Sequence, residues 1–93
     1  TQVLVTIFDA ITITSSTQSV TKLRQSGLIA ELYPDTSKLV KQFKYADQKN
    51  IPIVVVIGPE EVAKNQVIVK DMRTGKQQSV DSNLMVSTIH NLL

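Results

Sequence analysis

Two patterns of apolar residues alternate along the chain. Residues 2–8 (QVLVTIF) and 51–57 (IPIVVVI) are apolar or β-branched at nearly every step. That is the pattern of strands buried on both faces, as in a parallel sheet covered by helices. Pro52 stands near the start of the second run, where a strand tolerates it. Residues 28–33 (LIAELY) read as another short strand, closed by Pro34, which cannot donate to a ladder. Residues 66–71 (QVIVKD) alternate, and 76–80 (KQQSV) follow across a turn at Thr74 and Gly75, so these two should be antiparallel neighbours. Between strands the period lengthens to that of a helix. Leu39, Phe43 and Ala46, with Val40 beside them, mark the inner face of a helix over 36–49. Its outer face carries Lys41, Lys44 and Gln48, flanked by Lys38 and Tyr45; Asp35 or Thr36 caps it and Asn50 ends it. An earlier helix, capped by Ser15 or Ser16 and running to Ser26, puts Ser19, Val20 and Leu23 on one face, and Gly27 stops it. A last helix from Asp81 or Ser82 through Leu93 turns Leu84, Met85, Ile89 and Leu92 inward. Residues 58–61 (GPEE) read as a turn.

The order is therefore β-α-β-α-β-β-β-α. Alternation in the first part predicts parallel, right-handed crossovers, and the short late connections predict antiparallel pairing. The expected fold is α/β: a three-layer α/β/α arrangement with a mixed five-stranded sheet and three helices. Ninety-three residues make one domain, 1–93. No apolar run approaches the roughly 20 residues of a membrane-spanning helix, and the N-terminus does not resemble a secretion leader. The first residue is Thr1, from which we expect a segment of something longer. With no cysteine, disulfides, thiol catalysis and Cys-ligated zinc are excluded, and the cytoplasm is the expected compartment.

Net charge is only +2, but its distribution is uneven. Six basic residues (Lys22, Arg24, Lys38, Lys41, Lys44, Lys49) stand against three acidic ones between positions 22 and 49, where two helices are expected. Catalytic chemistry finds no constellation. The single histidine, His90, has no evident partner base or acid. Gly27, Gly58 and Gly75 are too far apart for a phosphate loop. Glu60 and Glu61 are adjacent and do not converge on one substrate atom. Gly58 occupies the strand end where a receiver domain needs its phosphoacceptor aspartate. The hydroxyl-rich stretch from Thr14 to Thr17 is better read as helix capping than as a flavin-phosphate loop.

Several short pieces do form an ordered set: Leu23 and Arg24 with Gly27; KQFKYAD at 41–47; Ile51 and Pro52; GPEE at 58–61; Val67 to Lys70; and Gly75 with Gln77. In this order and spacing, over about two thirds of the chain, they resemble the anticodon-binding domain of class II aminoacyl-tRNA synthetases. KQFKYAD, VKDMRTGKQ and the Tyr33-Pro34 loop followed by Lys38 and Leu39 are most similar to the histidyl branch. The resemblance implies sheet order 2-1-3-4-5 with strand four antiparallel. It implies a domain that reads tRNA and needs no cofactor or metal itself. ATP, Mg²⁺ and the joining of histidine to its tRNA would belong to a catalytic domain elsewhere in a homodimeric parent, and the isolated segment would be monomeric. The alternative is a synthetase-like, non-catalytic interaction or regulatory module of the same fold.

An anticodon is a splayed single strand, read by base-edge hydrogen bonds, stacking surfaces and cations for phosphates. The resemblance and that chemistry together nominate six residues. Glu61 lies past the carboxyl end of the third strand, where open α/β sheets place ligands, and accepts from base donors such as those of guanine. Lys70 and Lys44 match basic positions of the family, with Lys41 beside Lys44. Tyr33 and Tyr45 are candidate stacking rings. Asn50 departs from relatives that carry an RNA-contacting arginine there, which removes one contact.

Overall fold

The apolar run at 51–57 becomes the middle of the sheet. The structure, a computed structural model, describes residues 1–36 and 38–93. Strand β1 (Val3–Val5) pairs in parallel with β2 (Ala30–Leu32) on one side and with β3 (Ile53–Val56) on the other. Strand β4 (Gln66–Asp71) runs antiparallel to β3, and β5 (Gln77–Asp81) antiparallel to β4, giving the order β2-β1-β3-β4-β5.

Alternate residues of β3 feed two cores, which is why no position in that strand is polar. Ile53 and Val55, with Val3, Val5, Val67 and Val69, meet Val20 and Leu23 of helix α1 (Ile13–Gln25) and Met85 and Ile89 of helix α4 (Met85–Leu92). Val54 and Val56, with Leu4, meet Ala46 of helix α2 (Leu39–Gln48) on the other face. Each fully buried aliphatic side chain contributes about 1.5–3 kcal/mol relative to exposure. The three layers and the sheet order are those expected.

Local chemistry moves several expected boundaries. Helix α1 starts at Ile13, ahead of the serines expected to cap it. Asp9 and Thr12 exchange hydrogen bonds (Asp9 N donates to Thr12 Oγ1 at 3.2 Å, Thr12 N to Asp9 Oδ1 at 3.0 Å), closing the turn early. Ser16 is left inside the helix, where its buried hydroxyl donates to the Thr6 carbonyl at 2.9 Å and ties α1 to the end of β1. Helix α2 begins at Leu39 rather than 36, after Lys38 in extended geometry; the part of that expectation at position 37 lies outside the described residues. Val40 is 76% exposed, and Gln42 takes the buried place beside Ala46. Asn50, expected to end α2, follows it in the left-handed conformation (φ 55°), which asparagine tolerates.

The helix count differs as well. The expected turn at 58–61 opens a fourth helix, α3 (Pro59–Lys64). Proline at the first helical position and glutamate at the third are helix-start signals, and they outweigh the turn reading. Leu84, expected inside, is 56% exposed. A 3-10 turn over Ser82–Leu84 precedes α4 and rotates it outward, so that Met85 is the first inward residue.

Two polar devices hold the frame. Gln42 reaches from α2 to the backbone of Ile7: Ile7 N donates to Gln42 Oε1 at 2.9 Å, and Gln42 Nε2 donates to the Ile7 carbonyl at 2.7 Å. At the end of β4, Arg73 forms a two-pronged pair with Asp71 (3.1 Å each) and donates to the Leu92 carbonyl, anchoring the C-terminal helix.

Replacing Gln42 by leucine strands two buried backbone groups and should cost about 1–3 kcal/mol for each, read as a lower midpoint in urea. The hydrogen bonds from Arg73 hold the Asp71 carboxyl below its ordinary value. A depressed carboxylate stabilises above its unfolded value of about 4, and that contribution disappears as pH falls through the folded value. Thermal melts should therefore weaken below about pH 4, with a shallower acid slope for Asp71→Asn; identical slopes would refute the coupling.

Candidate nucleic-acid interface

Glu61 sits where the sheet's carboxyl edge opens. The chain leaves β3 through Ile57 and the buried, extended Gly58, and Pro59 starts α3. Two residues later, Glu61 folds back, and Gly58 N donates to its Oε1 at 3.0 Å. One carboxylate oxygen is thus fixed, while Oε2 accepts from no described residue. A side chain on Gly58 would begin 3.0 Å from Glu61 Oε1 and 3.5 Å from the Phe8 ring, so the glycine is what allows the three to gather. On its α1 side the carboxylate lines a cleft of about 130 Å³ with Ser15, Gln18, Lys22 and Asn65.

Lys70 lies elsewhere. It occupies the α2 side of β4, opposite Val54 and Gln77, and its Nζ stands 4.6 Å from the centre of the Phe43 ring. An ammonium over an aromatic face is held by the ring quadrupole, so this cation is partly buried and positioned. Beyond it, Ser79 and Gln77 of β5 are exposed on the same side of the sheet. This strip lies beside α2, the one helix packed on that face among the described residues. Lys41 and Lys44 are exposed on α2, as expected of its outer face.

The two tyrosines do not fit their expected role equally. Tyr33 is 6% exposed, in the core with Leu4, Val54 and Ala46. The edge of one tyrosine ring meets the face of the other, Tyr33 against Tyr45, at 5.4 Å and 81°. A ring sealed on both sides offers no stacking face, so the expectation for Tyr33 is corrected: its N–H donates to the Val5 carbonyl at 3.0 Å as it leaves β2, and its ring packs inward against Leu4 and Val54. Tyr45 is half-buried and covers that pair, its hydroxyl donating to Glu31 Oε2 at 2.9 Å. The six nominated residues thus form three groups rather than one: the tyrosine pair at the β2 edge, Lys70 with the α2 lysines, and Glu61 at the carboxyl edge. His90 is exposed, its Nε2 3.3 Å from Ser26 Oγ.

Nothing in the sequence singles out Phe8 or the cleft residue Gln18; Lys22 stands there only as one of six basic residues, and Gln42 only as part of KQFKYAD. Phe8 closes an apolar run and was absorbed into the strand. Its position beyond the sheet pairing, at 45% exposure, separates it from its neighbours.

The model of the anticodon binding domain family matches residues 2–92. The chain belongs to the anticodon-binding domain family. The histidine–tRNA ligase of Christiangramia forsetii is 46% identical over 66 residues, which are 71% of this chain and 14% of that protein. That of Cytophaga hutchinsonii is 37% identical over 93 residues, all of this chain and 20% of that protein. The anticodon-binding domain therefore spans about a fifth or less of the curated relatives it matches. Histidyl-tRNA synthetase from Nostoc sp. PCC 7120 superposes with a TM-score of 0.94 at 29% identity, covering 97% of this chain and 22% of that one. The RNA binding domain of threonyl-tRNA synthetase from Cryptosporidium parvum, at 14% identity and TM-score 0.88, shares the fold. Among the described residues of this anticodon-binding domain, no helix is long and apolar enough to cross a membrane.

The hydrogen bond to Glu31, then burial, then the charge on Glu31 raise the Tyr45 hydroxyl above its ordinary value. Ultraviolet titration should show Tyr45 ionising above about pH 10, returning toward that value in Glu31→Ala. An unchanged titration would contradict the bond.

Proposed function

We propose that this domain reads the anticodon loop of a histidine tRNA on behalf of a histidine–tRNA ligase. The observation that carries the reading is the Glu61 carboxylate, fixed by Gly58 N at 3.0 Å at the end of a central strand, with no described residue donating to its other oxygen. A carboxylate can only accept, so it selects bases that present donors, and guanine offers its N2 amino group. The lysines on α2 and at Lys70 supply the phosphate contacts that position a strand without reading it. The relatives carry the ligase name, which supports the histidine assignment. On this reading the parent protein supplies ATP, Mg²⁺ and histidine sites in a separate catalytic part, acts as a homodimer, and works in the cytoplasm. Binding energy gathered at the anticodon would orient the distant acceptor end of the tRNA.

A titration with an RNA hairpin carrying the histidine anticodon tests the reading. Binding should exceed that of a hairpin with a scrambled loop and weaken steeply with salt. Glu61→Gln keeps an oxygen for Gly58 N but removes the charge; it should lower the preference for guanine by about 1–3 kcal/mol. Lys44→Ala should weaken both hairpins alike and reduce the salt slope by about 0.7. Equal binding of the two hairpins would favour a non-catalytic interaction module instead.

A further inference from the structure

Of the seven residues in the first apolar run, Phe8 alone is exposed, at 45%. Its backbone is nonetheless pinned on both sides. Behind it, Ile7 gives both backbone groups to Gln42, at 2.9 and 2.7 Å. Ahead of it, Asp9 and Thr12 close their turn with reciprocal bonds. An aromatic ring left in water on a stiff backbone loses little freedom when a partner lands on it. The ring also has a polar neighbour: it and Glu61 Oε1 both lie within 3.5 Å of where a Gly58 side chain would begin.

We propose that Phe8 is a stacking platform for one unpaired RNA base whose hydrogen-bonding edge meets the Glu61 carboxylate. This rests on the reading of the edge as an RNA interface and adds a specificity-determining residue to it. The ring supplies contact that any base satisfies, since every base has a π-face. The carboxylate beside it then selects a base with edge donors, so stacking and selection fall on the same nucleotide. Tyr33, the aromatic first expected in this role, is sealed in the core and leaves it to Phe8.

The test uses the 93-residue chain and hairpins with the histidine anticodon, either intact or with an abasic site at each anticodon position in turn. Phe8→Leu should weaken binding to the intact hairpin by about 5- to 100-fold, and Phe8→Tyr should restore it. At one position the abasic hairpin should bind weakly already, with neither Phe8→Leu nor Glu61→Gln weakening it further. Intact-hairpin binding unchanged by Phe8→Leu would overturn the inference and leave the function standing. So would a further loss of the same size on every abasic hairpin. Failure of the unsubstituted chain to bind the intact hairpin would remove the function and this inference together.

Discussion

The fold turns on one side chain meeting the backbone of one residue. Strand β1 is paired on both sides, and its last sheet contact is Thr6 N donating to the Val55 carbonyl at 3.0 Å. The next residue, Ile7, is still buried at 4% exposure but has left the ladder. Buried backbone groups without partners are costly. Gln42 answers both from across the layer, and so docks α2 on the end of β1. Everything proposed for the edge depends on that contact. It sets where the chain turns outward at Phe8, and it fixes which side of α2 presents Lys41 and Lys44.

The neighbouring strand ends under a similar constraint. Gly58 is buried, and its N–H is taken by Glu61 at 3.0 Å. Two central strands thus finish side by side, each closed by a side-chain amide or carboxylate acting on backbone. The group that closes β3 keeps one oxygen for something else. The tyrosine pair is the contrasting case. Its rings meet at 81° over the α2 core and its hydroxyl bond goes to Glu31, so its polar atoms serve packing at the far edge of the sheet.

The strands and the inward face of α1 were legible because burial on two faces leaves an unmistakable run, as at 51–57; the sheet order came with the family resemblance, and the inward face of α4 was legible except at Leu84. Boundaries set by side-chain-to-backbone bonds were not. Asp9 with Thr12 moves a helix start by a few residues, and Glu61 with Gly58 opens a helix where a turn was expected, through contacts that periodicity does not record. Gln42 reads as polar and therefore outward; only the three-dimensional position of Ile7 explains its burial. The placement of Glu61 at the carboxyl edge was legible from topology. Tyr33 was misread because a strand exit can point either way, and its direction depends on packing against Leu4 and Val54. Phe8 was hidden in a run whose other members are buried.

The most direct measurement is a map of amide shifts in the ¹⁵N-labelled chain as the histidine anticodon hairpin is added. The largest changes should fall at Ile7, Phe8, Gly58 and Glu61, with lesser ones at Lys41 and Lys44 of α2 and little at Tyr33 or Tyr45. Changes confined to the α1 and α4 layer or to the β2 edge, with Phe8 and Gly58 unmoved, would contradict the reading of the carboxyl edge as the RNA interface.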